Sequence, residues 1–211
     1  IFCFMNDNNI LAVVLAGGLS KRFGKDKNQA KLGNLTLLEH VLAKVSKKFE
    51  KILIISNQKL NIENKDSITV IPDCIKGNLG PLIGILSAMK WIREKKLHYE
   101  WIASFPSDTP FFNISIVEKY MSIMKSNKSL LYFVKSNGKR HNIFGLWSLK
   151  LINELEKDLV QNHYRKVEDW SNKIGVETID VKIEKFDPFF NINKKEDLEQ
   201  AEKILKENKN D

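Results

Sequence analysis

An unbroken apolar run at 11–16, Leu11-Ala12-Val13-Val14-Leu15-Ala16, is stopped at once by Gly17-Gly18. Six consecutive apolar residues cannot alternate between core and water, so the run reads as a strand buried on both faces, as in a parallel sheet covered by helices. After the glycines come Ser20, Lys21, Arg22, Gly24, Lys25 and Lys27, dense in small side chains, backbone donors and positive charge. Glycine lets the main chain approach an anion closely, loop N–H groups can point at its oxygens, and lysine or arginine neutralises what remains. The segment outlines a polyphosphate site, yet it carries neither G-x-x-x-x-G-K-[ST] nor G-x-G-x-x-G. Taken alone, it is equally a strand followed by a solvated basic loop.

Downstream, the pattern alternates between helix and strand periods. Leu37, Leu38, Val41, Leu42, Val45 and Phe49 form a helical stripe over 35–49, and a second buried strand follows at 51–56. A third strand at 68–71 is stopped by Pro72-Asp73; Pro81 then opens a helix with Leu82, Ile85, Leu86, Met89 and Ile92 inward. The next strand, 101–105, runs into Pro106-Ser107-Asp108-Thr109-Pro110. Such alternation predicts an α/β fold: a three-layer α/β/α sandwich on a mostly parallel, Rossmann-like sheet, with ligands beyond the carboxyl ends of the strands. Gly17-Gly18, Asn57, Asp73 and Asp108 each follow a predicted strand, so four segments should converge on one edge.

The second half departs from strict alternation. A helix over 113–124 with Asn113 as its cap precedes strands at 130–135 and 142–147, which are joined around Asn137-Gly138, a hairpin signal and hence an antiparallel strand. Helices at 150–159 and 167–174 and a strand at 176–181 follow. The last helix runs from 194, with Asn193 as its cap and Leu198, Ala201 and Leu205 inward. No repeat, linker or composition break divides the chain, so we expect one domain at 10–211 after an extension at 1–9. Ile1-Phe2-Cys3-Phe4 precede Met5, a natural start, and carry no function in this reading.

No apolar run reaches the ~20 residues of a membrane helix, and no secretory leader is evident. Cys3 and Cys74 offer neither a disulfide framework nor zinc spacing; both are read as reduced and structural, in a cytoplasmic protein. The net charge of +8 suits anionic substrates. It comes mostly from lysines spread along helices and tails, with few arginine forks, which argues against nucleic acid.

Asp108 is the first candidate for chemistry. A carboxylate at a strand end, held between Pro106 and Pro110, suits Mg²⁺, which takes one or two carboxylates plus phosphate oxygens. Its alternative is a turn residue. Arg22 and Lys27 could neutralise a triphosphate, with Lys21, Lys25 and Lys31 as open alternatives; Asn57 and Asp73 alone are ordinary turn residues. His141 is a solvated or packing histidine or, less simply, a general base.

Leu15-Ala16-Gly17-Gly18, Ser20, Arg22, Gly24, Asp26-Lys27 and Leu38-Glu39-His40-Val41 resemble the opening signature of the molybdenum cofactor guanylyltransferases, within the nucleotidyltransferase superfamily. Val70-Ile71-Pro72-Asp73, Gly80-Pro81-Leu82-Ile83-Gly84-Ile85, Ser107-Asp108-Thr109-Pro110-Phe111 and Phe189-Phe190-Asn191-Ile192-Asn193 follow in the family's order, so the resemblance reaches from Leu11 to about Leu205. It departs at Asn28, usually glycine, and at Phe23, often methionine.

The resemblance implies transfer of GMP from GTP to the phosphate of molybdopterin cofactor, with Mg²⁺ on Asp108 and transient contacts with cofactor-synthesis and molybdoenzyme-maturation proteins. It selects Lys27 among the lysines and implies that Leu15, Ala16, Gly17, Gly18, Lys27, Asn57, Asp73 and Asp108 bind nucleotide. Asn191 and Asn193 then face the pterin. The rivals are a cytidylyl- or sugar-phosphate nucleotidyltransferase, whose opening more often reads Leu-Ala-Ala-Gly, and a non-catalytic nucleotide-binding accessory protein.

Overall fold

The expected central strand is β1, Ile10–Leu15, buried along its length until Leu15. A computed structural model describes residues 9–17, 30–62, 66–77, 79–126, 128–183 and 185–207. In it β1 lies between β4 (Ile52–Ile55) and β6 (Trp101–Pro106), both parallel to it. The sheet has seven strands in the order β5-β4-β1-β6-β8-β7-β9. Here β5 is Ile68–Ile71, β7 Leu131–Ser136, β8 Lys139–Ser148 and β9 Glu177–Val181. Only β8 runs against the others. Its turn from β7 has positive φ at both Asn137 (46°) and Gly138 (76°), the two-residue geometry that follows the twist of a hairpin.

The pleat of β1 sends alternate residues to opposite faces, and a separate apolar layer covers each. Ala12 and Val14 pack with Val41 of α1 (Leu37–Val45) and Val117 and Tyr120 of α3 (Ile116–Met124). Leu11 and Val13 pack with Leu86 and Met89 of α2 (Pro81–Glu94), Leu155 of α4 (Ile152–Val160) and Trp170 of α5 (Val167–Ile174). The three-layer α/β/α expectation holds. Gly84 belongs to this packing: a Cβ there would lie 2.9 Å from Leu15 Cδ2, so glycine lets α2 sit close on the sheet. A small third cluster joins Leu32, Leu37, Ile192 and Ala201 of α6 (Lys195–Glu207).

The helix starts differ from the sequence reading. Leu35–Thr36 forms β3, paired with β2 (Lys31–Leu32), so α1 begins at Leu37; Thr36 and Glu39 close a capping box there. Asn113 does not cap α3. Its Oδ1 accepts from Ser115 N at 2.9 Å, the local two-residue bond asparagine favours, and α3 starts after Ser115. At α6, Asp197 Oδ2 accepts from the N–H groups of Asn193 (2.7 Å) and Lys194 (2.9 Å), so an acid inside the first turn satisfies donors at the helix start. Cys74, expected to be structural, is exposed on the loop after β5 with a free thiol; Cys3 lies outside the described residues. Among the described residues no helix is long and apolar enough to cross a membrane.

Candidate functional site

Register places the candidate residues. Leu15 pairs with Ile55 and Pro106, and Ile55 with Ile71, so the four parallel strands end level. The alignment continues past their ends: Ala16 N donates to Ile55 O (3.0 Å), Ser56 N to Ile71 O (2.9 Å) and Ser107 N to Leu15 O (3.1 Å). Asp73, Asn57, Gly17 and Asp108 each stand two residues beyond one of these level ends. They form a row in that order across three strand spacings, about 14 Å.

Within the row, Asn57 and Asp73 are bonded twice. Asn57 Nδ2 donates to Asp73 Oδ2 at 2.7 Å, and Asp73 N donates to Asn57 Oδ1 at 2.9 Å. Partial burial raises the Asp73 carboxyl above its usual range, partly offset by the Asn57 hydrogen bond. The loop after Asp73 is tied to α2, because Cys74 N donates to Ser87 Oγ (2.8 Å). Ala16 is buried, whereas Gly17 is exposed, and among the described residues no atom lies within 4 Å of where its Cβ would be. Gly18, Arg22 and Lys27 lie outside the described residues.

On the other side of Asp108 the edge is built from the antiparallel strand, which begins where its neighbours end. A cavity of about 440 Å³ opens there, lined by Pro106, residues 139–144, Asp187, Phe189, Phe190, Asn191, Asn193, Lys194 and Asp197. Both asparagines singled out in the sequence therefore reach it. Asn191 is also joined to the row: Thr109 Oγ1 lies 3.2 Å from both Asp108 Oδ1 and Asn191 Oδ1, and Ile192 N donates to Asp108 O at 2.9 Å.

Two buried hydrogen-bond systems shape this cavity. In the β7–β8 ladder, Phe133 opposes Gly145 while the adjacent Val134 opposes His141, so Asn142, Ile143 and Phe144 bulge out of β8 into the lining. Ser104 Oγ takes up the displaced carbonyl of Ile143 (2.5 Å) and accepts from Trp147 Nε1 (2.7 Å). A Cβ at Gly145 would strike Phe133 at 2.6 Å, so only glycine fits beside the bulge.

The second system is His141 Nε2, Ser136 Oγ (2.6 Å) and Asp187 Oδ1 (3.3 Å), which also accepts from Phe189 N (3.0 Å). Both side-chain bonds form together when Nε2–H donates to Ser136 and Ser136 donates to Asp187. Serine is then the middle member and donates to a carboxylate, which is not the order of a nucleophilic triad. The buried His141 ring lies against Phe189, tilted by 33° with 4.7 Å between centroids. Burial lowers its pKa, against the opposing pull of Asp187, and the Lys139 charge adds to the lowering. His141 is thus a packed, neutral histidine, not a solvated one.

A family model described as MobA-like NTP transferase domain matches residues 12–174. The chain belongs to the MobA-like NTP transferase family. A molybdenum cofactor guanylyltransferase of Rhizobium rhizogenes is 32% identical over 197 residues, covering 91% of this chain and 90% of its own. The crystal structure of molybdopterin-guanine dinucleotide biosynthesis protein A from Archaeoglobus fulgidus matches with a TM-score of 0.73 at 25% identity, covering 93% of this chain and 99% of that one. The 2-C-methyl-D-erythritol 4-phosphate cytidylyltransferase of Francisella tularensis has a TM-score of 0.67 at 20% identity, over 92% and 98% of the two chains, which shows the fold alone.

In this MobA-like transferase, the sequence reading missed Ser104, Thr109, Ser136 and Asp187, whose side chains act across the fold. An isolated glycine inside a strand, Gly145, was a readable sign of the bulge. The donor chemistry around Asp108 fits Mg²⁺: a partly exposed carboxylate beside a hydroxyl and a carboxamide, all hard oxygen ligands. Among the described residues there is no cluster of three or more His, Cys, Asp or Glu that could hold a metal. A magnesium ion shared with substrate phosphates needs no such cage.

Proposed function

We infer that the chain transfers GMP from GTP to the phosphate of molybdopterin cofactor, forming the guanine dinucleotide and pyrophosphate in the cytoplasm. The carrying observation is the arrangement on either side of Asp108: a row of nucleotide-type residues toward β5, and a cavity with Asn191 and Asn193 toward β8. Asn57 and Asp73 read the base and ribose at the far end of the row. Leu15, Ala16 and Gly17 bring the main chain to the phosphates, and glycine at 17 lets the backbone approach an anion closely. Arg22 and Lys27, assigned from the sequence, neutralise the triphosphate together with the Gly18 loop.

The acceptor phosphate, held near Asn191 and Asn193, attacks the α-phosphorus of GTP; the new O–P bond forms as the α–β bridging P–O bond breaks and pyrophosphate departs. A phosphate monoester is already an anion, so no protein base is required, and the packed His141 is not needed as one. Asp108 would hold Mg²⁺, which when bound neutralises charge on the triphosphate and the leaving pyrophosphate. The protein's part is positioning two anions in line.

Incubating the protein with Mg²⁺, a molybdopterin source and each of the four nucleoside triphosphates should give dinucleotide with GTP. Product with CTP at equal or greater rate would establish the cytidylyl reading instead, and GTP binding without product would establish an accessory protein.

A further inference from the structure

Thr109 lies between the two halves of the site, in contact with both. Its side chain is fully buried, and a β-branched side chain in a packed setting has little rotameric freedom, so its hydroxyl is fixed. A hydroxyl carries one proton and two acceptor positions. The Asp108 carboxylate and the Asn191 carboxamide both lie 3.2 Å from it, so either they share that proton or the carboxamide is turned to donate while Oγ1–H goes to Asp108. In each case one fixed oxygen is bonded to both groups. Asp108 and Asn191 are 83 residues apart in the sequence, and each is partly or largely exposed.

We propose that Thr109 is a positioning residue that locks the Asp108 carboxylate and the Asn191 carboxamide into one geometry, so that the phosphates gathered on either side meet in line. The proposal rests on the guanylyltransferase reading for what is gathered. Ile192 N still holds the segment to Asp108 O without the hydroxyl, so the loss concerns aim and leaves docking intact. Alignment errors of an ångström lower turnover far more than affinity.

The test is Thr109→Val, equal in shape, with Thr109→Ser, which restores the hydroxyl. Thr109→Val should melt within a few degrees of the unmodified protein, and its kcat should fall about 10- to 30-fold while KM for GTP moves less than threefold. Independently of turnover, calorimetric titration of GTP against increasing Mg²⁺ should show the half-maximal Mg²⁺ concentration raised about fivefold, because the carboxylate is no longer oriented. Thr109→Ser should recover most of both effects. An unchanged Mg²⁺ midpoint with unchanged kcat in Thr109→Val overturns the proposal; so does a Thr109→Ser as impaired as Thr109→Val, since packing would then be the cause. If the unmodified protein makes no dinucleotide from any triphosphate, the guanylyltransferase reading fails, and the Mg²⁺ midpoint alone decides for or against Thr109.

Discussion

On the β5–β4–β1 side of Asp108, each candidate residue stands two places past a level strand end, and main-chain ladder bonds carry the alignment into the loops. On the β8 side the ladders are antiparallel, and the one with β7 shifts register between Phe133 and Val134. The cavity is assembled from the amino end of an antiparallel strand, a three-residue bulge and the segment at 187–197, held by side-chain bonds through Ser104, Thr109, Ser136, His141 and Asp187. A site that uses strand ends receives its geometry from the sheet. One assembled from distant pieces has to be latched, and each latch is a separate place where it can fail.

Asp108 stands at the junction, so its removal should have the largest effect. Asp108→Asn keeps the size but loses the charge, and turnover should drop by roughly 100-fold or more, the scale on which a key electrostatic group is lost, with melting unchanged. Near-normal turnover with the same Mg²⁺ dependence would transfer the metal role to Asp73. The next effect belongs to the ladder side. Asn57→Ala removes both bonds to Asp73 and should raise KM for GTP about tenfold and relax base selectivity, while KM for the pterin stays within twofold. Equal movement of both constants would mean that the two halves are not separate sites.

The latched side can be perturbed at His141, a lining residue with no part in the proposed chemistry. His141→Phe keeps an aromatic ring beside Phe189 and removes the bond to Ser136, so KM for the pterin should rise about three- to fivefold with KM for GTP unchanged. The same residue gives a pH signature. Burial holds its folded pKa below the ordinary 6.5, so at mildly acidic pH the unfolded chain binds the proton first and stability increases with pH. Its contribution is complete above about pH 6.5 and is lost as pH falls below that. Melting curves from pH 5 to 7.5 should show the unmodified protein losing more on acidification than His141→Phe; parallel curves would show that the histidine does not stay neutral.

The same contrast explains what the sequence could disclose. β1 with Gly17, β4 with Asn57, β5 with Asp73 and β6 with Asp108 are local strand-then-loop patterns, and strand register does the rest. Asn191 and Asn193 stood out only through the family's order of motifs. Nothing local pairs Ser136 with Asp187 or Thr109 with Asn191, because those contacts arise only when β7, β8 and the segment after β9 are brought together. Asn113 was misread for a related reason: asparagine serves a helix cap and a two-residue turn equally well in sequence, and here its bond from Ser115 N makes the turn, with α3 starting after Ser115.

The smallest expected effect on catalysis comes from a buried polar cluster between α4 and α5, which meets the cavity lining where Arg140 Nη1 donates to Asn172 Oδ1 of α5 (2.9 Å). Asp158 of α4 is fully buried, and its carboxylate accepts from Lys173 Nζ (2.5 Å), Asn162 Nδ2 (2.6 Å) and Trp170 Nε1 (2.9 Å). Burial pushes this carboxyl up, but the bonds from Lys173, Asn162 and Trp170 with the ammonium charge outweigh it, and the net pKa lies below the usual range. Lys173 is correspondingly raised, first by the Asp158 bond and then by Glu154. A lowered carboxyl contributes stability above its unfolded pKa near 3.8, and a raised lysine contributes below its own near 10.5, so the pair acts across the whole neutral range. Asp158→Asn keeps a carboxamide in place yet leaves Lys173 with Glu154 alone, which should cost about 2 kcal/mol and lower the melting temperature by roughly 5 °C. That loss should be flat between pH 5 and 9 and shrink below about pH 4 as the carboxyl protonates and above about pH 10.5 as the lysine deprotonates, unlike the His141 signature. At 25 °C, kcat and both KM values should match the unmodified protein, because α4 and α5 pack on the opposite face of the sheet from Phe189 and the cavity's His141 system. A pterin KM that rose with the loss of Asp158 would show that the latches extend through the sheet into the α4–α5 layer, and the boundary between the two regions would have to be redrawn there.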